Sequence, residues 1–128
     1  PCVFHDDMEE LYLNLETCMA LTISLPLYFS GVPAGLKALI DRGEYLWQRK
    51  RAGHSARERS AAVIITAGSD YRDMFDGALQ CLRHFLSTVN IRIDVVHSLL
   101  VRNTDGGNSP DPESIRTAAE DFYRGSSR

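Results

Sequence analysis

The chain has 128 residues, 44% of them hydrophobic, enough for one globular core and too few to divide into two. Its 14 basic and 17 acidic residues leave a net charge of -3, without the basic excess that a nucleic-acid backbone attracts. No apolar run approaches the roughly 20 residues that cross a bilayer, and no basic stretch followed by an apolar one opens the chain, so a soluble cytoplasmic protein is expected. Cys2, Cys18 and Cys81 are far apart and odd in number, a poor basis for a disulfide framework and a sign of a reducing compartment.

Asp6 or Asp7 can cap a first helix over about 7–17, in which Met8, Leu11 and Leu15 recur at helical spacing and Glu9 and Glu10 suit the first turn. The run 18–25 is apolar without helical period and ends at Pro26, as a strand buried on both faces does. Pro33 suits the first turn of a helix whose stripe runs through Leu36, Leu39, Ile40, Leu46 and Trp47 to about residue 50, with Gly53 as its stop. The cluster Gln48-Arg49-Lys50-Arg51 places cations at the negative end of that helix, which explains it without a ligand. A second buried strand spans 61–67, and Gly68-Ser69-Asp70 makes a turn that can cap the next helix, whose face carries Met74, Phe75, Ala78, Leu79, Leu82, Phe85 and Leu86. A third strand is expected over 91–101, bent near His97. The polar, glycine-rich segment 103–109 reads as a loop, Asp111-Pro112-Glu113 opens a last helix, and the tail from Gly125 is expected to fray.

Alternating strands and helices call for parallel strands joined by right-handed crossovers, a doubly wound α/β class with helices on both faces of the sheet. Ligands bind such sheets beyond the carboxyl ends of the strands, so loops 25–33, 67–71 and 101–110 are where chemistry is sought. His5, His54, His84 and His97 lack metal-site spacing, and neither a Gly-x-Ser-x-Gly elbow nor a phosphate loop with Gly-Lys-Ser/Thr occurs. Hydrolase and nucleotide-hydrolysing readings therefore have no support.

The segment Leu25-Pro26-Leu27-Tyr28-Phe29-Ser30-Gly31-Val32-Pro33, followed by Leu36-Lys37 and Ile40-Asp41-Arg42, closely resembles the flavodoxin-like NAD(P)H-dependent FMN reductases and iron-sulfur flavoproteins. There a strand runs into a proline-aromatic loop and then a helix with the same Lys, Asp and Arg spacing. Cys2 to Met8 with Leu11-Tyr12 is similar to the stretch after that family's cysteine cluster, and the strand ending at Gly68 to its next flavin-side loop. The resemblance covers about residues 1–100 and implies FMN as cofactor, bound by Pro26, Leu27, Tyr28, Phe29, Ser30, Gly31, Gly68 and Ser69. An isoalloxazine ring needs a flat aromatic wall and backbone N–H groups near its polar edge, which this loop can offer through Tyr28 and Phe29. Taken without the resemblance, both rings would be read as core. Lys37, Asp41 and Arg42 are read as structural, with Asp41 pairing to Lys37.

Leu25 stands where relatives have a small hydroxyl residue, and Met19 where they often have Asp. The Ser/Thr-rich loop that holds the FMN phosphate in the family has no counterpart in this sequence. The chain opens on Pro1 rather than Met, and the expectation is an N-terminally truncated, incomplete single domain over 1–128. Cys2 stands where the last of four iron-sulfur ligands would be; it is either such a former ligand or an ordinary cysteine, and a cluster is expected only in a full-length parent. No catalytic side chain is required. The implied function is electron transfer from NAD(P)H through FMN to a quinone, flavin or redox partner, in a homo-oligomer that covers the exposed edge of the strand at 18–25. The second reading, favoured by Leu25 and the unmatched phosphate loop, is a flavodoxin-like module without cofactor that serves interaction or assembly.

Overall fold

The structure, a computed structural model, describes residues 5–54, 57–94 and 97–126, so Cys2 lies outside the described residues. In chain order it contains α1 (Met8–Thr17), β1 (Leu21–Pro26), α2 (Ala34–Arg42), α3 (Glu44–Arg51), β2 (Arg59–Thr66), α4 (Asp76–Ser87), β3 (Ile91–Ile93), β4 (Leu99–Val101) and α5 (Pro112–Ser126). All strand pairings are parallel. β1 lies along one edge of β2, from Leu21 opposite Ala61 to Pro26 opposite Thr66. β3 and β4 share the other edge, β3 beside Arg59–Ala61 and β4 beside Ile64–Thr66. The expected class is therefore present, with the strands in sequential order.

The strand pleat sends alternate side chains to opposite faces. On one face Leu25, Val63, Ile65 and Ala67 meet Met74, Phe75, Ala78 and Leu82, while Ala61 and Ile91 join Tyr12, Leu15, Leu46, Phe85 and Leu86. On the other, α5 packs through Phe122 against the His97 ring, 5.7 Å between centroids, and Tyr123 shares a 2.9 Å hydroxyl hydrogen bond with Thr22. Partly buried Arg59 ties the start of β2 to its neighbours, donating to the Cys18 carbonyl at 2.7 Å and the Val89 carbonyl at 2.8 Å. Arg49 pairs with Glu16 at 3.0 Å, and the Tyr12 hydroxyl donates to the Arg42 carbonyl at 2.8 Å, fastening α1 to α2 and α3.

Several boundaries differ from expectation. The single helix predicted from Pro33 to about residue 50 divides at Gly43, where the Phe85 ring leaves no room for a side chain: a Cβ would stand 2.5 Å from Phe85 Cε2 and 2.8 Å from the Ile40 carbonyl oxygen. The third strand is interrupted rather than bent. Asp94 donates its N–H to the Ala61 carbonyl at 2.7 Å, and the Ser98 hydroxyl then takes the Val63 N–H at 3.0 Å, standing in for backbone where the ladder lapses. The strand predicted from residue 18 begins at Leu21, since Cys18 caps α1. Asp6 rather than Asp7 holds the start of α1, accepting the Met8 N–H at 3.1 Å. Asp70 does not cap α4, which starts only at Asp76; its carboxylate accepts from Arg102 instead, at 3.4 Å. Gly125 lies within α5, so the tail is helical to Ser126. Cys18 and Cys81 are half-buried free thiols, and Cys18 packs against the core beside Tyr12 and Leu15.

Candidate functional site at the carboxyl ends of the strands

Pro26 ends β1, and Leu27 donates its N–H to the Thr66 carbonyl at 2.7 Å, so the loop leaves the sheet firmly attached to β2. Tyr28 and Gly31 then face each other across a two-residue turn, with Tyr28 N–H donating to Gly31 at 3.2 Å and Gly31 N–H donating to Tyr28 at 2.9 Å. Both central residues are left-handed, Phe29 at φ 47° and Ser30 at φ 59°. That is the backbone of a type I′ turn, normally filled by Asn-Gly or Asp-Gly. Phe29, a bulky residue in this region, carries backbone strain of about 1–2 kcal/mol. Its ring is fully exposed, and Tyr28 is 60% exposed. Neither ring is core, and the N–H groups of Phe29 and Ser30 make no backbone hydrogen bond among those described.

The neighbouring loops brace this turn. A hydrogen bond of 2.5 Å joins the Ser30 and Tyr71 hydroxyls. Gly77, at the start of α4, admits the Ser30 carbonyl so closely that a Cβ would stand 2.8 Å from its oxygen. Arg102 donates to the Tyr71 carbonyl at 2.8 Å, and its guanidinium lies 5.0 Å from the centroid of Phe75. Ser69 accepts the Asn103 N–H at 3.0 Å, and the Asp105 carboxylate fills the space where a side chain on Gly68 would project. The glycine at 68 is thus used by a neighbouring loop, and the exposed Ser69 marks the rim beside it.

Eight residues named from the sequence, Pro26 to Gly31 with Gly68 and Ser69, come from loops that meet at this end of the sheet. Tyr71, Arg102 and Asp105 had not been singled out. They lie in loops at the carboxyl ends of the strands, but nothing in their spacing signals that Tyr71 meets Ser30 and Arg102 or that Asp105 meets Gly68. Leu25 is buried in the core, so its side chain faces away from the rim. Met19 is exposed near Arg57, Glu58 and Phe122, well before the carboxyl end of β1. Lys37 pairs with Asp41 as expected, which raises the pKa of its amine, and Arg42 forms a two-pronged bond to Asp6 at 2.7 and 2.9 Å. The hydrogen bonds from Arg42 hold the Asp6 carboxyl below its usual range.

The exposed aromatic ring, the free turn amides and the absence of a charged side chain on Pro26 to Gly31 fit the edge of an isoalloxazine. A cradle for the FMN phosphate is not formed among the described residues. Helices α1, α3, α4 and α5 set their own carboxylates, such as Glu44 and Asp76, in the first turn, and α2 opens on Ala34-Gly35-Leu36 without a hydroxyl.

Parallel strands in sequential order, helices on both faces and a loop-built rim beyond the strand ends define a flavodoxin-like α/β protein. Two solved structures share this fold: the flavodoxin, WrbA-like protein from Agrobacterium tumefaciens, with TM-score 0.63 and 12% identity over 93% of this chain and 71% of that one; and a NADPH-quinone reductase from P. pentosaceus, with TM-score 0.56 and 14% identity over 95% and 74%. At such identities the likeness is one of fold. A family model described as NADPH-dependent FMN reductase matches residues 1–103, and the chain belongs to that family. The iron-sulfur flavoprotein of Methanosarcina thermophila is 32% identical over 68 residues, which are 53% of this chain. The chain spans only about a third, 34%, of that relative's length.

Proposed function

We propose that this chain contributes the ring side of an FMN site in an oxidoreductase that passes electrons from NAD(P)H to a quinone, a flavin or a redox partner. The observation that carries this is the strained, fully exposed Phe29 at the end of β1, within the part of the chain matched by the family. An outlying backbone conformation persists where its surroundings over-determine it, and it clusters at sites of function. Tyr28 and Phe29 offer flat apolar surface to a ring, and the amides of Phe29 and Ser30 are placed to donate to its polar edge. Gly68 and Ser69 form the adjoining rim. FMN, when bound, supplies the hydride chemistry; the protein orients the ring and keeps charged side chains away from its face. No side-chain acid or base is called for by this scheme.

The second reading, a flavodoxin-like module for interaction or assembly, is favoured by the lack of a phosphate cradle among the described helix starts. Absorbance distinguishes the two. Purified protein should show a flavin band between about 370 and 450 nm, directly or after addition of FMN, which NADPH or NADH bleaches without oxygen. Protein that carries and takes up no flavin would favour the module. An iron-sulfur cluster would need about four thiolates, of which Cys2 would be one. The extent 1–128 is read as the C-terminal portion of one flavodoxin-like domain.

A further inference from the structure

The turn that presents Phe29 has no local reason to exist. Phe-Ser lacks the Asn or Gly that makes a type I′ turn easy, and both residues sit at positive φ. Something outside the turn must hold it. The structure shows a chain of contacts that reaches it from the far side of the sheet: Arg102, just past β4, donates to the Tyr71 carbonyl at 2.8 Å, and the Tyr71 hydroxyl meets Ser30 Oγ at 2.5 Å. The Ser30 carbonyl rests where Gly77 gives it room. Three loops from three strands are thereby linked through one residue, Tyr71, by its carbonyl on one side and its hydroxyl on the other.

We propose that Tyr71 is a positioning residue whose hydroxyl latches Ser30 in the left-handed conformation and so sets the Phe29 ring at the rim. The inference rests on the reading of that rim as the isoalloxazine edge, but the latch itself can be measured without flavin. When the turn opens, the Gly31 N–H loses the Tyr28 carbonyl and exchanges with solvent. Tyr71 sits half-exposed at the surface, so Tyr71→Phe removes the hydroxyl without emptying a core position.

The experiment is amide hydrogen exchange at Gly31 in flavin-free protein, for wild type, Tyr71→Phe, Ser30→Ala, the double variant and Ser30→Gly, with FMN titrations alongside. Tyr71→Phe and Ser30→Ala should each speed exchange by about three- to tenfold, the range of one lost hydrogen bond, and the double variant should match either single. Ser30→Gly should keep exchange within about twofold of wild type, because glycine adopts positive φ unaided, and Tyr71→Phe in that background should change nothing. FMN should bind about three- to tenfold more weakly to Tyr71→Phe and Ser30→Ala. Unchanged Gly31 exchange in both single variants, or additive effects in the double, would overturn the latch. Faster exchange with unchanged FMN affinity would leave the latch in place and overturn its role toward flavin, and with it the ring-side reading of the rim.

Discussion

Phe29 combines a backbone cost with full exposure of its ring. Left-handed backbone costs a bulky side chain about 1–2 kcal/mol, and nothing among the described residues covers the ring in return. Replacing it with glycine should relieve that strain, offset in part by the greater freedom of glycine in the unfolded chain, for a net gain of roughly 0.5 kcal/mol. Urea unfolding of Phe29→Gly should therefore show a midpoint at or above that of wild type; a clear fall would mean that the ring packs against something that stabilises the fold. The pair Asp6–Arg42 makes a second residue-scale prediction. Since Arg42 lowers the Asp6 pKa in the folded state, the stabilisation is present above the unfolded value near 3.8 and is lost as pH falls through the folded value. Asp6→Asn should be slightly less stable than wild type at pH 7, screened because the pair is exposed, with the difference closing in acid. A gap that widens in acid would contradict the assignment. Of these features, the sequence announced the aromatic loop but not its turn, because Phe-Ser carries none of the chemistry by which a type I′ turn is recognised.

Hydrophobic period located the helical segments among the described residues, since their apolar stripes face the core, fully buried in α4 and half-buried in α2, and the pattern survives local irregularity. It could not find the break at Gly43. A lone glycine in a helical stripe has several meanings, and this one depends on Phe85, 42 positions later, coming to lie against it. Gly43 has an ordinary helical φ of -63°, so alanine there is opposed by sterics alone. Gly43→Ala should destabilise by about 1–3 kcal/mol as Phe85 and the α2–α3 junction give way, read as a lower urea midpoint. A neutral result would show that the ring can move aside. The gap between β3 and β4 was equally hidden: Ile91, Ile93, Leu99 and Val101 look like one strand in the sequence, and at the interruption the Ser98 hydroxyl, not a strand carbonyl, accepts the Val63 N–H. That loops 25–33, 67–71 and 101–110 meet at one end of the sheet was legible because strand alternation fixes which ends converge. The contacts among Ser30, Tyr71 and Arg102 were not, since they join residues far apart in sequence through loop conformations no periodicity encodes.

The whole molecule is a sheet with β1 at one end of its order, paired to β2 and to no other strand among those described. Thr22 and Ser24 lie exposed on the face that α5 only partly covers. An edge of this kind invites pairing with a further strand. Sedimentation should accordingly show self-association that strengthens with protein concentration; a monomer at all concentrations would set that expectation aside. The family and the α/β class were readable because the segment from Pro26 to Arg42 fixes a strand, a loop and a helix together. The proposed contact of Tyr28 and Phe29 with the flavin joins the sheet, its loops and the strained turn into one function. Titration of FMN by quenching of flavin fluorescence, on wild type, Tyr28→Ala and Phe29→Ala, tests it most directly. Binding should weaken by about 1–3 kcal/mol in each variant, with circular dichroism unchanged. Equal affinity in all three proteins would contradict it and place the flavin elsewhere.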